Sequence, residues 1–238
     1  MDGYRKFLLV LMGLLVVHTA VAGIGLSEVI VDFSDPRKQR HDIWIVNDGK
    51  ERAYITIEPA EIVNPGRPDE KRVNQPDPEK RGLLVSPTRL ILEPQQRRMV
   101  RLVVLGNRQQ ERIYRLRVQP VAPPPGTETD QPPPTRSGIA IKILTGYDAL
   151  VIVRPREARA GIETRREGDK LVFRNTGNTN ALLFNGKQCD ASGKNCKDLP
   201  AMRLYAGASK TIPVPYRTPV RYEVMEGTDR RQREFPGS

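Results

Sequence analysis

Ile43-Trp44-Ile45-Val46-Asn47-Asp48-Gly49, followed closely by Ala53-Tyr54-Ile55-Thr56-Ile57, is the stretch whose reading decides the fold of this chain. Two short runs of β-branched and aromatic residues flank an Asn-Asp-Gly turn, the pattern of two strands at hairpin distance. Working outward, Leu83 to Val85, Leu90 to Leu92, Met99 to Leu105 and Ile113 to Val118 repeat it, as does Ile139 to Leu144. After Val153 come Lys170 to Phe173, Ala181 to Phe184, Met202 to Tyr205, Lys210 to Val214 and Arg221 to Met225, with Asn175-Thr176-Gly177-Asn178 as a turn. No stretch keeps a helical apolar period over the length of a helix. The fold class expected is therefore all-β, as immunoglobulin-like sandwiches.

The 238 residues are 38% hydrophobic and 28% charged, enough apolar material for a packed core. With 39 Lys and Arg against 28 Asp and Glu, the formal charge is +11, which raises the question of an acidic partner. Residues 1–22 read as an export signal: Arg5 and Lys6 precede the apolar run Phe7 to Val17, and Ala20-Val21-Ala22 has the small residues of a cleavage site. Export argues against nucleic acid, as does the interspersion of Lys and Arg with Asp and Glu. Cys189 and Cys196 enclose a polar, Gly-bearing loop, and in an oxidising compartment they are expected to pair. Such a clip contributes about 2 to 3 kcal/mol by loop closure.

Arg154-Pro155-Arg156-Glu157-Ala158-Arg159-Ala160 is a charged, Pro-bearing seam. It sets the expected boundaries: one sandwich over 23–153, a linker at 154–160 and a second sandwich over 161–238. Pro120 to Pro134 holds seven of the 21 prolines and reads as an extended loop. Directly after it, Gly138-Ile139-Ala140-Ile141-Lys142-Ile143-Leu144-Thr145 places Ile139, Ile141 and Ile143 on one strand face at a period of two. That pattern suits an inward-facing sandwich strand. It equally suits an exposed edge that lends its backbone to a partner lacking a strand.

Two longer stretches carry a resemblance. They are Leu83-Leu84-Val85-Ser86-Pro87-Thr88-Arg89-Leu90-Ile91-Leu92-Glu93-Pro94, continuing through Met99-Val100-Arg101-Leu102, and Glu111-Arg112-Ile113-Tyr114-Arg115-Leu116-Arg117-Val118. Together they resemble the signature of PapD-like periplasmic pilus chaperones of the chaperone-usher pathway. Asn175 to Asn178, the close Cys pair and Leu204-Tyr205-Ala206-Gly207 are similar to its alternative, common-pilus-like branch. The resemblance implies two immunoglobulin-like sandwiches set as a boomerang, with pilus subunits and an outer-membrane usher as partners. In that family an edge strand of the chaperone completes an incomplete subunit. Ile139, Ile141, Ile143 and Thr145 fall at the donor positions. A free edge of this kind is also open to self-association.

One family feature does not carry over. The Arg and Lys that hold the subunit's terminal carboxylate in many members correspond here to Ile30 and Leu150, and Arg115 and Arg117 are the candidate replacements. Trp44 is expected in the sandwich core, and the basic run Arg37, Lys38 and Arg40 in a solvated turn. No enzyme activity, cofactor or metal is expected, because His41 is the one histidine after the leader and no Gly-rich phosphate loop occurs. A two-domain immunoglobulin-like adhesive protein and a module binding anionic polymer remain the alternatives.

Overall fold

A computed structural model describes residues 23–123 and 144–236. Its first half carries β1 (Ile24–Leu26), β2 (Ile30–Phe33), β3 (Arg40–Asn47), β4 (Ala53–Val63), β5 (Lys71–Val73), the short helix α1 (Pro78–Arg81), β6 (Leu83–Ser86), β7 (Arg89–Leu92), β8 (Arg97–Val104), β9 (Arg112–Val121) and β10 (Tyr147–Val153). One sheet runs β1-β3-β8-β6 and the other β2-β10-β9-β4-β5, with β7 also on β4. Alternation decides which residues face inward. Ile43, Ile45, Val100 and Leu102 of the first sheet meet Ile55, Ile57, Leu116, Val118 and Val151 of the second in one buried cluster.

The hairpin expected between 43–46 and 53–57 does not form. β3 pairs with β1 and β8, whereas β4 pairs with β5, β7 and β9 in the opposite sheet. Asn47 explains the corner. Its buried side-chain amide donates to the carbonyls of Glu51 (2.7 Å) and Leu92 (3.0 Å), while its oxygen accepts the Gly49 amide at 3.0 Å. These bonds satisfy the backbone where the chain crosses between layers, so the turn ends pairing instead of reversing it.

Trp44 likewise departs from expectation. Ile43 and Ile45 are fully buried, and the residue between them must point the other way. Trp44 is 43% exposed on the outer face, with the Arg97 guanidinium 5.0 Å above its ring.

The second half carries β11 (Ile162–Glu167), β12 (Lys170–Asn175), β13 (Ala181–Cys189), β14 (Cys196–Leu199), β15 (Met202–Leu204), β16 (Ser209–Pro213), β17 (Val220–Glu226) and β18 (Asp229–Phe235). Sheets β11-β12-β16 and β14-β13-β17-β18, with β15 on β13, enclose a second core. Phe173, Tyr222 and Phe235 meet edge to face at its centre. Gly186 lies against the Tyr222 ring, where a Cβ would come within 2.3 Å, and Asn185 beside it has φ 51 at a bulge in the β13–β17 pairing.

Asn175 repeats the Asn47 corner. Its amide donates to the carbonyls of Thr179 (2.7 Å) and Leu204 (3.0 Å), and its oxygen accepts the Gly177 amide at 3.0 Å. Cys189 and Cys196 form a disulfide across β13 and β14. Asp190 organises the loop they close, accepting from Ser192, Lys194 and Asn195. The Asn195 and Ser192 bonds hold its carboxyl at about 2, below the ordinary 3.8.

Between the two cores lies Arg154, the first residue of the expected charged linker, only 2% exposed. Its guanidinium makes bonds of 2.9 to 3.1 Å to both carboxylate oxygens of Asp32, and reaches the Thr179 hydroxyl at 2.8 Å and the Asn180 carbonyl at 2.9 Å. Glu111 completes the seam by accepting from the Thr179 hydroxyl at 2.5 Å and the Asn180 amide at 2.8 Å. Arg108, also buried, donates to the carbonyls of Phe33, Asp35 and Arg154. Replacing Arg154 with Met leaves Asp32 and Glu111 without their cation. The expected cost is about 3 to 5 kcal/mol, read as a lower urea midpoint. An unchanged midpoint would show that the seam contributes little.

Candidate functional site

The outer face of the β2-β10-β9-β4 sheet, the side turned away from its own core, carries Arg115 and Arg117. β10 has the run Ala149 to Val153 buried on both faces. Ala149, Val151 and Val153 enter the first core, while Leu150 and Ile152 form a separate cluster with Ile113, packed by Ile62 and Tyr205. Strand register arranges this face in rows. Ile62, Ile113, Ile152 and Asp32 make one, and Ala60, Arg115, Leu150 and Ile30 the next. A third joins Glu58, Arg117 and Asp148.

Arg115 and Arg117 therefore share a face, as their spacing predicts, but occupy different settings. Arg117 has a carboxylate as cross-strand neighbour on either side. Arg115 has Ala60 and Leu150 in those positions, and its one bond among the described residues is to the Asp148 carbonyl at 3.2 Å. The Asp148 carboxylate is engaged by Arg72 at 2.9 and 3.1 Å. Ile30 sits in the Arg115 row and Val29 beside it, 48% and 52% exposed, an apolar step at the sheet's margin. The register thus pairs Ile30 with Leu150 directly, and places Arg115 one strand further along.

Ile139, Ile141 and Ile143 lie outside the described residues. Thr145 is described: it is exposed and stands two residues before the start of β10. Gly146 follows it, its Cα so close to β9 that a Cβ would fall 2.8 Å from the Val118 carbonyl. Among the described residues no group of His, Cys, Asp and Glu has metal-ligand geometry.

The second sandwich adds residues that the sequence reading did not assign to the site. Tyr205, just after β15, packs against its own core and also against Ile113, Leu150 and Ile152 of the first. Burial raises its phenol above the ordinary 10, while the charges of Arg203 and Arg115 pull in the opposite direction. Arg203 donates to the Asn180 side-chain oxygen at 2.5 Å, and burial lowers its pKa. No sequence signal linked Tyr205 to Leu150 and Ile152, because they come together only where the sandwiches meet.

No family model matches the chain. Among curated proteins, it is 25% identical over 157 residues to a CS1 fimbrial subunit of Escherichia coli, and 27% identical over 157 residues to a CFA/I fimbrial subunit of the same organism. The chain spans 65% of the length of each of these relatives. Among solved structures, the class 5 fimbriae chaperone CfaA superposes with a TM-score of 0.63 at 20% identity, over 90% of this chain and 99% of that one. Escherichia coli chaperone DraB gives 0.62 at 17%, over 90% and 96%. The SafB chaperone of Salmonella enterica, solved in complex with the SafA pilin, gives 0.57 at 15%, over 90% and 94%.

The chain has the fold of the periplasmic pilus chaperones. Two immunoglobulin-like sandwiches of a pilus-chaperone fold thus account for all the described strands, with the Arg115 row and Tyr205 at their junction. Replacing Tyr205 with Ala uncovers Leu150, Ile152 and Ile113. The expected loss is about 2 to 3 kcal/mol of unfolding free energy, measured by urea denaturation. A loss below about 0.5 kcal/mol, the range of neutral surface changes, would mean that the junction does not depend on this ring.

Proposed function

We propose that this protein is a periplasmic chaperone of pilus subunits. It is exported by residues 1–22, and its domains are 23–153 and 161–238, joined by 154–160. The observation that carries the reading is the shared fold over 90% of the chain, which includes a chaperone solved with its pilin. In this reading an extended subunit segment lies along the outer sheet face beside the apolar step of Val29 and Ile30, and Ile139, Ile141, Ile143 and Thr145 complete its missing strand. These four share the odd-numbered phase of Tyr147, Ala149 and Val151 in the sequence. Burial of three Ile side chains supplies roughly 5 to 9 kcal/mol before ordering and desolvation are subtracted. The loaded chaperone then passes the subunit to an outer-membrane usher.

The activity is one of binding and transfer and needs no catalytic group or cofactor. What must be recognised is an unpaired strand edge, an apolar groove and an anion that sets register. Arg115 is the better of the two candidate cations for that anion, because cross-strand acids already balance Arg117.

Coexpression with the pilin of the same gene cluster tests the proposal. The pilin is expected to copurify with the wild-type chain and to be degraded without it, and a protein that stabilises no pilin would end the chaperone reading. Ile141→Asp places a charge in the donor face and is expected to abolish copurification while the melting temperature stays unchanged. Normal capture by that variant would remove 139–145 from the binding role. Arg115→Glu should weaken capture more than Arg156→Glu does, and equal effects would remove Arg115 from the site.

A further inference from the structure

Arg72 and Asp148 are joined across the outer sheet face. The guanidinium donates to both carboxylate oxygens, at 2.9 and 3.1 Å. In the sheet order β2-β10-β9-β4-β5, β9 and β4 lie between the strands that carry this pair. Register puts both side chains on the outer side, since Arg72 pairs with Ile62 and Asp148 with Arg117. Three strand spacings amount to about 14 Å in a flat sheet. Asp148 also lies four residues along β10 from Ile152, which shares the row of Ile62 and Arg72. One Arg side chain spans that diagonal only because the β4–β5 end curls over the face.

The turn between β4 and β5 is held in that position from the other sandwich. Arg67 donates to the Gly207 carbonyl at 3.2 Å, and a Cβ at Gly66 would lie 3.1 Å from the Tyr205 ring. Ala60 lies on the diagonal between Arg72 and Asp148 and offers only a methyl group to pass over. It is fully buried, yet it belongs to none of the apolar clusters. The pair itself opens at small cost. Its side chains are 27% and 46% exposed, and an ion pair shared with water is weak. When Arg72 leaves, Asp148 keeps Arg117 as its direct cross-strand neighbour, so no acid is left unbalanced. Arg154, only 2% exposed against Asp32, has no such freedom.

We propose that the Arg72–Asp148 pair is an autoinhibitory strap, closed over the outer sheet face in the free protein and opened by the extended subunit segment that lies there. The inference rests on the chaperone reading and adds regulation to the same site. A chain passing over Leu150 and Arg115 meets the guanidinium at Asp148, so the closed pair and the bound segment exclude each other. The affinity observed is then the intrinsic one reduced by the fraction of molecules with the strap open. A polypeptide that gains more from the face than the pair contributes displaces it, and one that makes only a few apolar contacts does not.

The test measures binding of the mature protein to a synthetic peptide of the last strand of the pilin from the same gene cluster. Arg72→Met keeps the apolar stem and removes the donors, and it is expected to bind the peptide about threefold more tightly than wild type. Asp148→Asn should give a similar gain. The double variant should add little beyond either change alone, because a single contact can be removed only once. A gain in affinity is not what the loss of a merely structural pair produces. If Asp148→Asn disturbs β10, Arg72→Met alone still gives the reading. Equal or weaker binding by Arg72→Met, or gains that add fully in the double variant, overturns the strap and leaves the chaperone reading intact. Wild type that binds no peptide and stabilises no pilin in cells overturns both.

Discussion

A buried guanidinium between two sandwiches is the constraint on which the rest of this structure depends. A charge that leaves water at such a place is tolerable only when its donors are satisfied and its charge is matched. Asp32 from β2, Thr179 and Asn180 from the second half, and Glu111 just before β9 supply that environment to Arg154. Because these bonds are directional, they hold the two sandwiches in one relative placement as well as in contact. The outer face of the β2-β10-β9-β4 sheet and the turn at Tyr205 are thereby brought into contact. Without that placement Tyr205 would not cover Leu150 and Ile152.

Each sandwich is stabilised locally by the same device. Asn47 and Asn175 both commit their side chain to the amide two residues ahead, the carbonyl four residues ahead and the carbonyl at a distant strand end. In both, the residue two positions on is Gly, in an Asn-x-Gly pattern visible in the sequence. That pattern signals a turn, but it does not distinguish a hairpin from a corner. The distinction rests on what lies opposite: Leu92 and Leu204 present the carbonyls that draw the Asn inward, and neither is close in sequence.

The strand phases were largely legible, and the Trp44 error shows where the reading went astray. Hydrophobic type suggested core for Trp44, whereas period suggested the opposite face from Ile43 and Ile45, and period prevailed because a pleated strand allows nothing else. The charged outer face was partly legible. Spacing put Arg115 and Arg117 on one side of one strand. Their difference came from cross-strand neighbours on β4 and β10, which no local pattern reports.

The sequence by itself determined the class of fold, the two-core organisation with its disulfide, and the resemblance to pilus chaperones. These follow from local quantities: a period of two, turn residues and Cys spacing. Tertiary structure alone decided that Arg154 is a buried tie, that β3 and β4 part into opposite sheets, and that Tyr205 packs on Leu150 and Ile152. The physical reason is common to all three. Burial, counter-charge and cross-strand partnership are properties of residues brought together from far along the chain, and they exist only once the layers have packed.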